Sequence, residues 1–121
     1  MTKSKSRKPQ FNHIWVDWLA TNIYWVVCSA KRYVELVSKT FHLEIPLTDM
    51  YSGRCQLFEQ VADSRILVIW VDRKDVPNLV HEIAHCLYYI FESKGITPDG
   101  DKGETFAYMQ AHLVRTIMAK W

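Results

Sequence analysis

The chain has 121 residues, of which 49% are hydrophobic and 23% charged, and its formal charge is +2. This length allows one modest hydrophobic core and excludes a second domain. Four of the 15 basic residues fall within residues 1–10, which leaves 11 against 13 acidic residues. We therefore expect a disordered basic tail at 1–10 and a single domain at 11–121, with no specific nucleic-acid binding, because the folded part has no basic excess to form a phosphate-binding face.

The predicted fold class is α+β. Residues 13–39 carry apolar side chains at the spacing of one or two amphipathic helices. Three strand candidates follow, FHLEIPL (41–47), GRCQLFEQV (53–61) and RILVIWV (65–71), separated by the turn-like segments TDMYS and ADS. They predict a small three-stranded sheet, antiparallel or mixed. RILVIWV is a candidate edge strand for pairing with an extended peptide, although its continuous apolar run also fits a buried central strand.

Two further helices are predicted after the strands. The first runs from residue 76 to 94, because Pro77 is tolerated in a first helical turn and Gly95 ends the pattern. Its apolar residues occupy more than one face, so we expect it to be largely buried, with only the stripe of His81 and His85 open to a cleft. GITPDGDKG then forms a loop, and ETFAYMQAHLVRTIMAKW forms the closing helix.

The cysteines and the apolar segments bear on location. Cys28, Cys55 and Cys86 are odd in number and widely spaced, which favours free thiols in a reducing compartment and hence a cytoplasmic protein. The segment IWVDWLATNIYWVVCSA resembles a signal peptide in outline, but Asp17 and Asn22 interrupt its apolar run and disfavour cleavage. No stretch is long and apolar enough to span a membrane, so no membrane partner is expected.

The first predicted helix contains a candidate metal site, His81-Glu82-Ile83-Ala84-His85. On a helix the two histidines differ by about 40° and one turn, so both imidazoles can converge on one ion, with Glu82 beside them. Two neutral imidazoles suit Zn²⁺, and the carboxylate can act as a base without ligating the metal. The five-residue pattern alone is weak, because chance produces it in roughly one of a hundred such sequences.

Glu104 is the predicted third ligand. It follows His85 after a glycine-rich reversal and stands at the start of a helix that can fold back over the first. The alternative is a carboxylate that merely stabilises the N-terminal turn of its own helix. Histidines buried on an apolar helix need a polar partner, and a metal with a carboxylate ligand satisfies all three groups. We therefore predict Zn²⁺ bound by His81, His85 and Glu104.

The segments LVHEIAHCLYYIFESKGI and GETFAYMQAHLV resemble the minimal gluzincin-like metallopeptidases of bacteriophages and other mobile elements, a group related to the ImmA/IrrE-type peptidases. In that group, HExxH is followed by a helix that carries the motif E-x-x-A. In this chain Glu104-Thr105-Phe106-Ala107 matches that second motif. The resemblance covers residues 66–115. It implies a zincin fold, Zn²⁺ on His81, His85 and Glu104, Glu82 as general base, and activity in the cytoplasm of a bacterial host.

Several other residues are candidates for the site. Tyr108 and His112 follow Glu104 at i+4 and i+8, so either can orient Glu104 or donate to the oxyanion formed during hydrolysis. Packing of Tyr108 at the edge of the core is an equally good interpretation. Tyr89 is a candidate wall of the cleft, and Arg54 and Arg73 are candidates to face a substrate carboxylate. His13 and His42 lie outside any motif and are expected to be surface or core histidines.

Two functions remain open from the sequence. The first is a zinc metallopeptidase that hydrolyses a peptide bond in a protein substrate, with Glu82 activating zinc-bound water. The alternative is a non-catalytic, zinc-stabilised binding module of phage type, in which the ion serves the fold. Glu82 favours the enzyme, because a purely structural site does not need this carboxylate.

Overall fold

The computed structural model describes residues 8–17, 21–46, 52–61, 64–97 and 101–121. Most of the basic tail, most of TDMYS and part of ADS therefore lie outside the described residues. Within these ranges the protein is a mixed α+β fold with three helices and a four-stranded sheet. In chain order the elements are β1 (Asn12–Val16), β2 (Thr21–Val27), α1 (Ala30–Phe41), β3 (Gly53–Val61), β4 (Ser64–Val71), α2 (Val76–Ser93) and α3 (Asp101–Met118).

The sheet has the strand order β1-β2-β4-β3. β1 and β2 pair antiparallel, β2 and β4 pair parallel, and β3 and β4 pair antiparallel. β4 is therefore a central strand, and residues 66–71 are buried. Of the two interpretations of RILVIWV, the buried central strand is confirmed and the edge strand is wrong, since its side chains fill the cores on both faces of the sheet. β3 is an edge strand and lies beside α2.

Helices cover both faces of the sheet. On one face α1 packs over Val68 and Trp70, and the ring of Tyr33 stacks on Trp70 with the centroids 5.2 Å apart. The indole Nε1 of Trp70 donates to the backbone carbonyl of Cys28 at 2.8 Å, so this buried polar group is satisfied. On the other face α2 and α3 pack over Leu67 and Ile69. The candidate histidines belong to this second layer.

The prediction of helix over the whole of residues 13–39 is wrong in its first half. Asn12–Val16 and Thr21–Val27 are strands, rich in the β-branched and aromatic residues that favour a pleated sheet. In β1 the buried Val16 alternates with the exposed Trp15 as the strand period requires. The helical pattern holds only from Ala30, where the Ser29 Oγ caps α1 by accepting from the backbone N–H of Arg32 at 3.1 Å.

The strand predicted at 41–47 is also wrong. Phe41 is the last residue of α1, and His42 ends the helix in the left-handed conformation with φ of 60°. Residues 42–46 form no regular element, and Leu47 lies outside the described residues. The predicted strands at 53–61 and 65–71 are confirmed as β3 and β4, so the sheet differs from the prediction by two strands gained and one lost.

The two C-terminal helices are confirmed. α2 has Pro77 in its first turn, and Gly95 follows its end with φ of 69°, a conformation that favours glycine. α3 begins at Asp101, slightly earlier than predicted. It runs antiparallel to α2, because the Phe106 ring lies 4.9 Å from that of Tyr88 and Gln110 donates to the carbonyl of Val80.

The free thiols expected from the sequence are confirmed, since none of the three cysteines forms a disulfide. Burial raises the pKa of the Cys28 thiol to about 11, so this group is protonated and inert at neutral pH. Over the parts of the chain that the structure describes, no helix is both long enough and apolar enough to cross a membrane.

The packing of α3 provides a test of the fold. Leu113 is fully buried in the core shared with α2 and the sheet, whereas Met118 on the same helix is 40% exposed. We expect Leu113→Ala to lower the free energy of unfolding by about 2–5 kcal/mol, and Met118→Ala to lower it by less than about 1 kcal/mol. Denaturant titration followed by circular dichroism measures both values. Equal effects of the two substitutions would contradict the described packing.

Candidate metal centre

His81 and His85 lie one turn apart on the solvent side of α2, and both are exposed. Their Nε2 atoms are 3.2 Å apart, and their ring centroids 4.8 Å. Two Zn–N bonds of about 2.1 Å at a tetrahedral angle separate the nitrogens by about 3.4 Å. The donor atoms therefore already have nearly the separation that two zinc ligands require.

Glu82 is the one charged residue in the described core, with 6% of its surface exposed. Its carboxylate accepts a hydrogen bond from the backbone N–H of Cys55 on β3. Burial raises the pKa of the Glu82 carboxyl, and the adjacent His81 and His85 and the Cys55 N–H oppose that shift only in part. A carboxylate of raised pKa is a stronger base than an ordinary one, which suits the role of a general base.

A pocket of about 400 Å³ lies between α2 and the start of β3. The two histidines and Glu82 line the pocket from α2, and Gly53, Arg54 and Cys55 line it from β3. Tyr89 lines the pocket, as the sequence suggested for a cleft wall, and so does Arg54. Arg73 instead lies 3.0 Å from the carboxylate of its neighbour Asp72. The pocket is lined by Ser52, Gly53, Arg54, Cys55, Asn78, His81, Glu82, His85 and Tyr89.

Exposure on α2 is wider than predicted. Tyr88 and Tyr89 are 55% and 41% exposed, in addition to the two histidines. Tyr88 turns toward α3, where its ring contacts Phe106, whereas Tyr89 turns toward the pocket. The two tyrosines therefore flank the histidine stripe on opposite sides.

The structure does not bring Glu104 together with the histidines. Glu104 is exposed and differs by about half a turn in helical angle from the buried Leu113, so the packing of α3 directs it away from the core. Among the described residues there is no group of three His, Cys, Asp or Glu side chains that could hold a metal ion. The role of Glu104 as third ligand stays a prediction.

The neighbours of Glu104 on α3 define where it stands relative to α2. It differs by only about 20° in helical angle from Ala111, which lines a groove of about 330 Å³ between α3 and Val80 of α2. Phe106, which contacts Tyr88 and Phe91 of α2, differs from Glu104 by about 160° in helical angle, so Glu104 does not face α2. Because the helices run antiparallel, it lies near the end of α2 that follows His85.

Tyr108 and His112 are both exposed on α3, Tyr108 to 68%. Neither lines the pocket beside the histidines, so their predicted part in orienting Glu104 or stabilising an oxyanion has no contact to support it here. Because Tyr108 is 68% exposed, it is not packed at the edge of the core either.

Sequence reasoning missed three groups of this site: Gly53, the backbone N–H of Cys55 and the side chain of Asn78. Asn78 Nδ2 donates to the Ser52 carbonyl at 2.7 Å and so ties the first turn of α2 to the start of β3. These groups meet only through packing between segments that are distant in the sequence. No local pattern marks them, apart from the position of Asn78 one turn before His81.

Comparison with protein-family models, curated proteins and solved structures finds no match to this chain. The resemblance to gluzincin-like peptidases therefore rests on the HExxH and E-x-x-A motifs within residues 66–115.

Proposed function

We propose that the protein is a zinc-dependent metallopeptidase in which His81 and His85 bind the metal and Glu82 is the general base. One observation carries the proposal: two imidazoles at ligand spacing stand beside a buried carboxylate of raised pKa, at the mouth of a pocket. Perturbed carboxyls beside metal-binding residues in a cleft are typical of hydrolytic sites.

Each residue then has a defined task. A bound Zn²⁺ would lower the pKa of water and polarise the carbonyl group of the substrate. Glu82 accepts the proton of the attacking water and returns it to the leaving amine. Its burial keeps competing water from the carboxyl, and the Cys55 N–H fixes the direction of the carboxylate. The openness of the histidine pair leaves room for water and substrate, which the alternative, a closed structural zinc site in a binding module, does not provide.

The edge of β3 supports an extended peptide as the substrate. The backbone N–H of Asp72 donates to the Ser52 carbonyl at 2.8 Å, and Gly53 pairs with Val71 in the next position. In an antiparallel ladder the hydrogen-bonded and non-bonded pairs alternate, so Gly53 directs its N–H and C=O away from β4. Those groups border the pocket and are placed to pair with a peptide backbone.

We further propose Glu104 as the third ligand, on the strength of its motif and of its place along α3, near the end of α2 that follows His85. Binding would require the first turns of α3 to approach His85. Protein stripped of metal and then titrated with zinc is expected to bind about one ion per chain, and Glu104→Gln to weaken binding by more than the roughly 10–100-fold typical of changes outside the ligand set. Glu92→Gln, an exposed glutamate of α2, is the matched control.

Isothermal titration with zinc measures both affinities. Failure of the wild-type chain to bind zinc would remove the proposed function. Equal affinity of wild type and Glu104→Gln would remove only Glu104 from the ligand set and leave the histidine pair in place.

A further inference from the structure

We propose that Gly53 is a positioning residue for Glu82, because the missing side chain at position 53 lets the Glu82 carboxylate reach the edge of β3. This inference rests on the proposed function, in which Glu82 is the general base. It adds a requirement on a different segment of the chain, since Gly53 begins β3 whereas Glu82 belongs to α2.

The space above Gly53 is already filled by two polar side chains. A Cβ atom built on Gly53 would lie 2.9 Å from both Nδ2 and Oδ1 of Asn78, and 3.1 Å from Oε2 of Glu82. These separations are shorter than van der Waals contact between carbon and nitrogen or oxygen, where optimal spacing is about 3.5 Å or more. Any other residue at this position must displace Asn78, Glu82 or the strand.

The need for glycine here is spatial and not conformational. Gly53 lies in β3 and does not have a positive φ. Gly95 is the opposite case, with φ of 69° and no heavy atom within 4 Å of the point where a Cβ would lie. Glycine commonly serves where another group must approach the backbone closely. At Gly53 that group is the carboxylate of the proposed base.

Neither neighbour can retreat without losing a hydrogen bond. The Asn78 amide is held over Gly53 by its 2.7 Å bond to the Ser52 carbonyl. The Glu82 carboxylate is held by the N–H of Cys55, on the same strand as Gly53. Asn78 closes one side of the space and the strand closes the other, so an added methyl group at position 53 pushes the carboxylate out of its place.

The test compares Gly53→Ala with Gly95→Ala in the full, metal-free chain by two-dimensional ¹H–¹⁵N NMR. The probe is the amide signal of Cys55, which reports its bond to Glu82 directly, and Glu82→Gln supplies the reference shift for a weakened bond. Gly53→Ala is expected to move this signal in the same direction as Glu82→Gln. Gly95→Ala is expected to lower the melting temperature, because alanine is strained at positive φ, while leaving the Cys55 signal in place.

A second variant separates positioning from simple disruption. Gly53→Ala/Asn78→Ser shortens the side chain that would meet the new methyl group first, so that the contact with Glu82 remains as the main conflict. The Cys55 signal should still be displaced in this double variant, and zinc affinity should stay at the wild-type value because both histidines are untouched. In a peptidase assay normalised to the concentration of folded, zinc-loaded protein, kcat should fall with KM unchanged, because that normalisation removes the effect of a general loss of stability.

An unmoved Cys55 signal in either folded variant would overturn the inference, whatever the zinc result. Failure of the wild-type chain to bind zinc, with the Cys55 signal displaced as expected, would instead count against the proposed function and leave the geometry of the Glu82 contact established.

Discussion

His81→Ala and His85→Ala are each expected to abolish the stabilisation that zinc gives to the wild-type chain. A ligand that binds only the native state adds RT ln(1 + [L]/Kd), which is about 2.7 kcal/mol when free zinc is roughly 100 times Kd. Loss of either imidazole removes one of the two donors whose Nε2 atoms lie 3.2 Å apart. Thermal unfolding with and without zinc measures the effect.

The metal-free proteins should behave differently. Both histidines are exposed, so each alanine variant is expected to unfold within about 0.5 kcal/mol of the metal-free wild type. The sequence-based argument that these histidines are buried and need a polar partner is wrong, since both are exposed. His112→Ala, an exposed histidine on α3, is the control and should keep the full zinc effect. Retention of that effect by His81→Ala or His85→Ala would remove the pair from the metal site.

Glu82→Gln is expected to lower the rate of peptide hydrolysis by roughly 10² to 10⁴, the usual contribution of general acid–base catalysis. Zinc affinity should remain close to that of wild type, because Glu82 does not ligate the metal in the proposed arrangement. Single-turnover rates on a cleaved peptide, measured at equal zinc occupancy, test this separation. Parallel loss of zinc and of rate would mean that Glu82 acts through the metal site and not as the base.

The same substitution has a pH-dependent effect on stability. The folded-state pKa of Glu82 is raised above its ordinary value of 4.5, mainly by burial, so the native state holds this proton more tightly than the unfolded chain. The resulting stability is present below the ordinary pKa of 4.5 and is lost as the pH rises through the raised pKa. Metal-free wild type should therefore lose stability relative to Glu82→Gln over that range, as denaturant titrations at a series of pH values would show.

Local signals predicted the C-terminal half of the fold well. Pro77 and Gly95 mark the two ends of α2, and the alternating pattern of 53–61 marks β3. The N-terminal strands were missed because apolar residues such as Ile23 and Val26 also fit a helical period. Residues 21–27 form a strand because they pair in parallel with β4. That partner follows β2 in the sequence only after α1 and β3. Such a contact leaves no trace in the local pattern.

In the candidate site, too, the local features could be predicted from the sequence and the contacts between distant segments could not. The spacing of His81 and His85 alone predicted that their imidazoles would converge, because helix geometry is local. Gly53 and Asn78 could not be predicted, since the packing of α2 against β3 brings them together. The angle of Glu104 depends on the phase of α3, which is fixed by the burial of residues such as Leu113 and Ile117 and not by the E-x-x-A motif.

The central claim, that this chain is a zinc peptidase with Glu82 as its base, is tested most directly by profiling the new protein termini that it produces. A proteome-derived peptide library is incubated with the zinc-loaded wild type, with the same protein after chelation, and with zinc-loaded Glu82→Gln, and new termini are counted by mass spectrometry. We predict a set of termini that appears with the zinc-loaded wild type alone and returns when zinc is restored after chelation. The same termini in equal yield with zinc-loaded Glu82→Gln, or none above background with the zinc-loaded wild type, would contradict the claim.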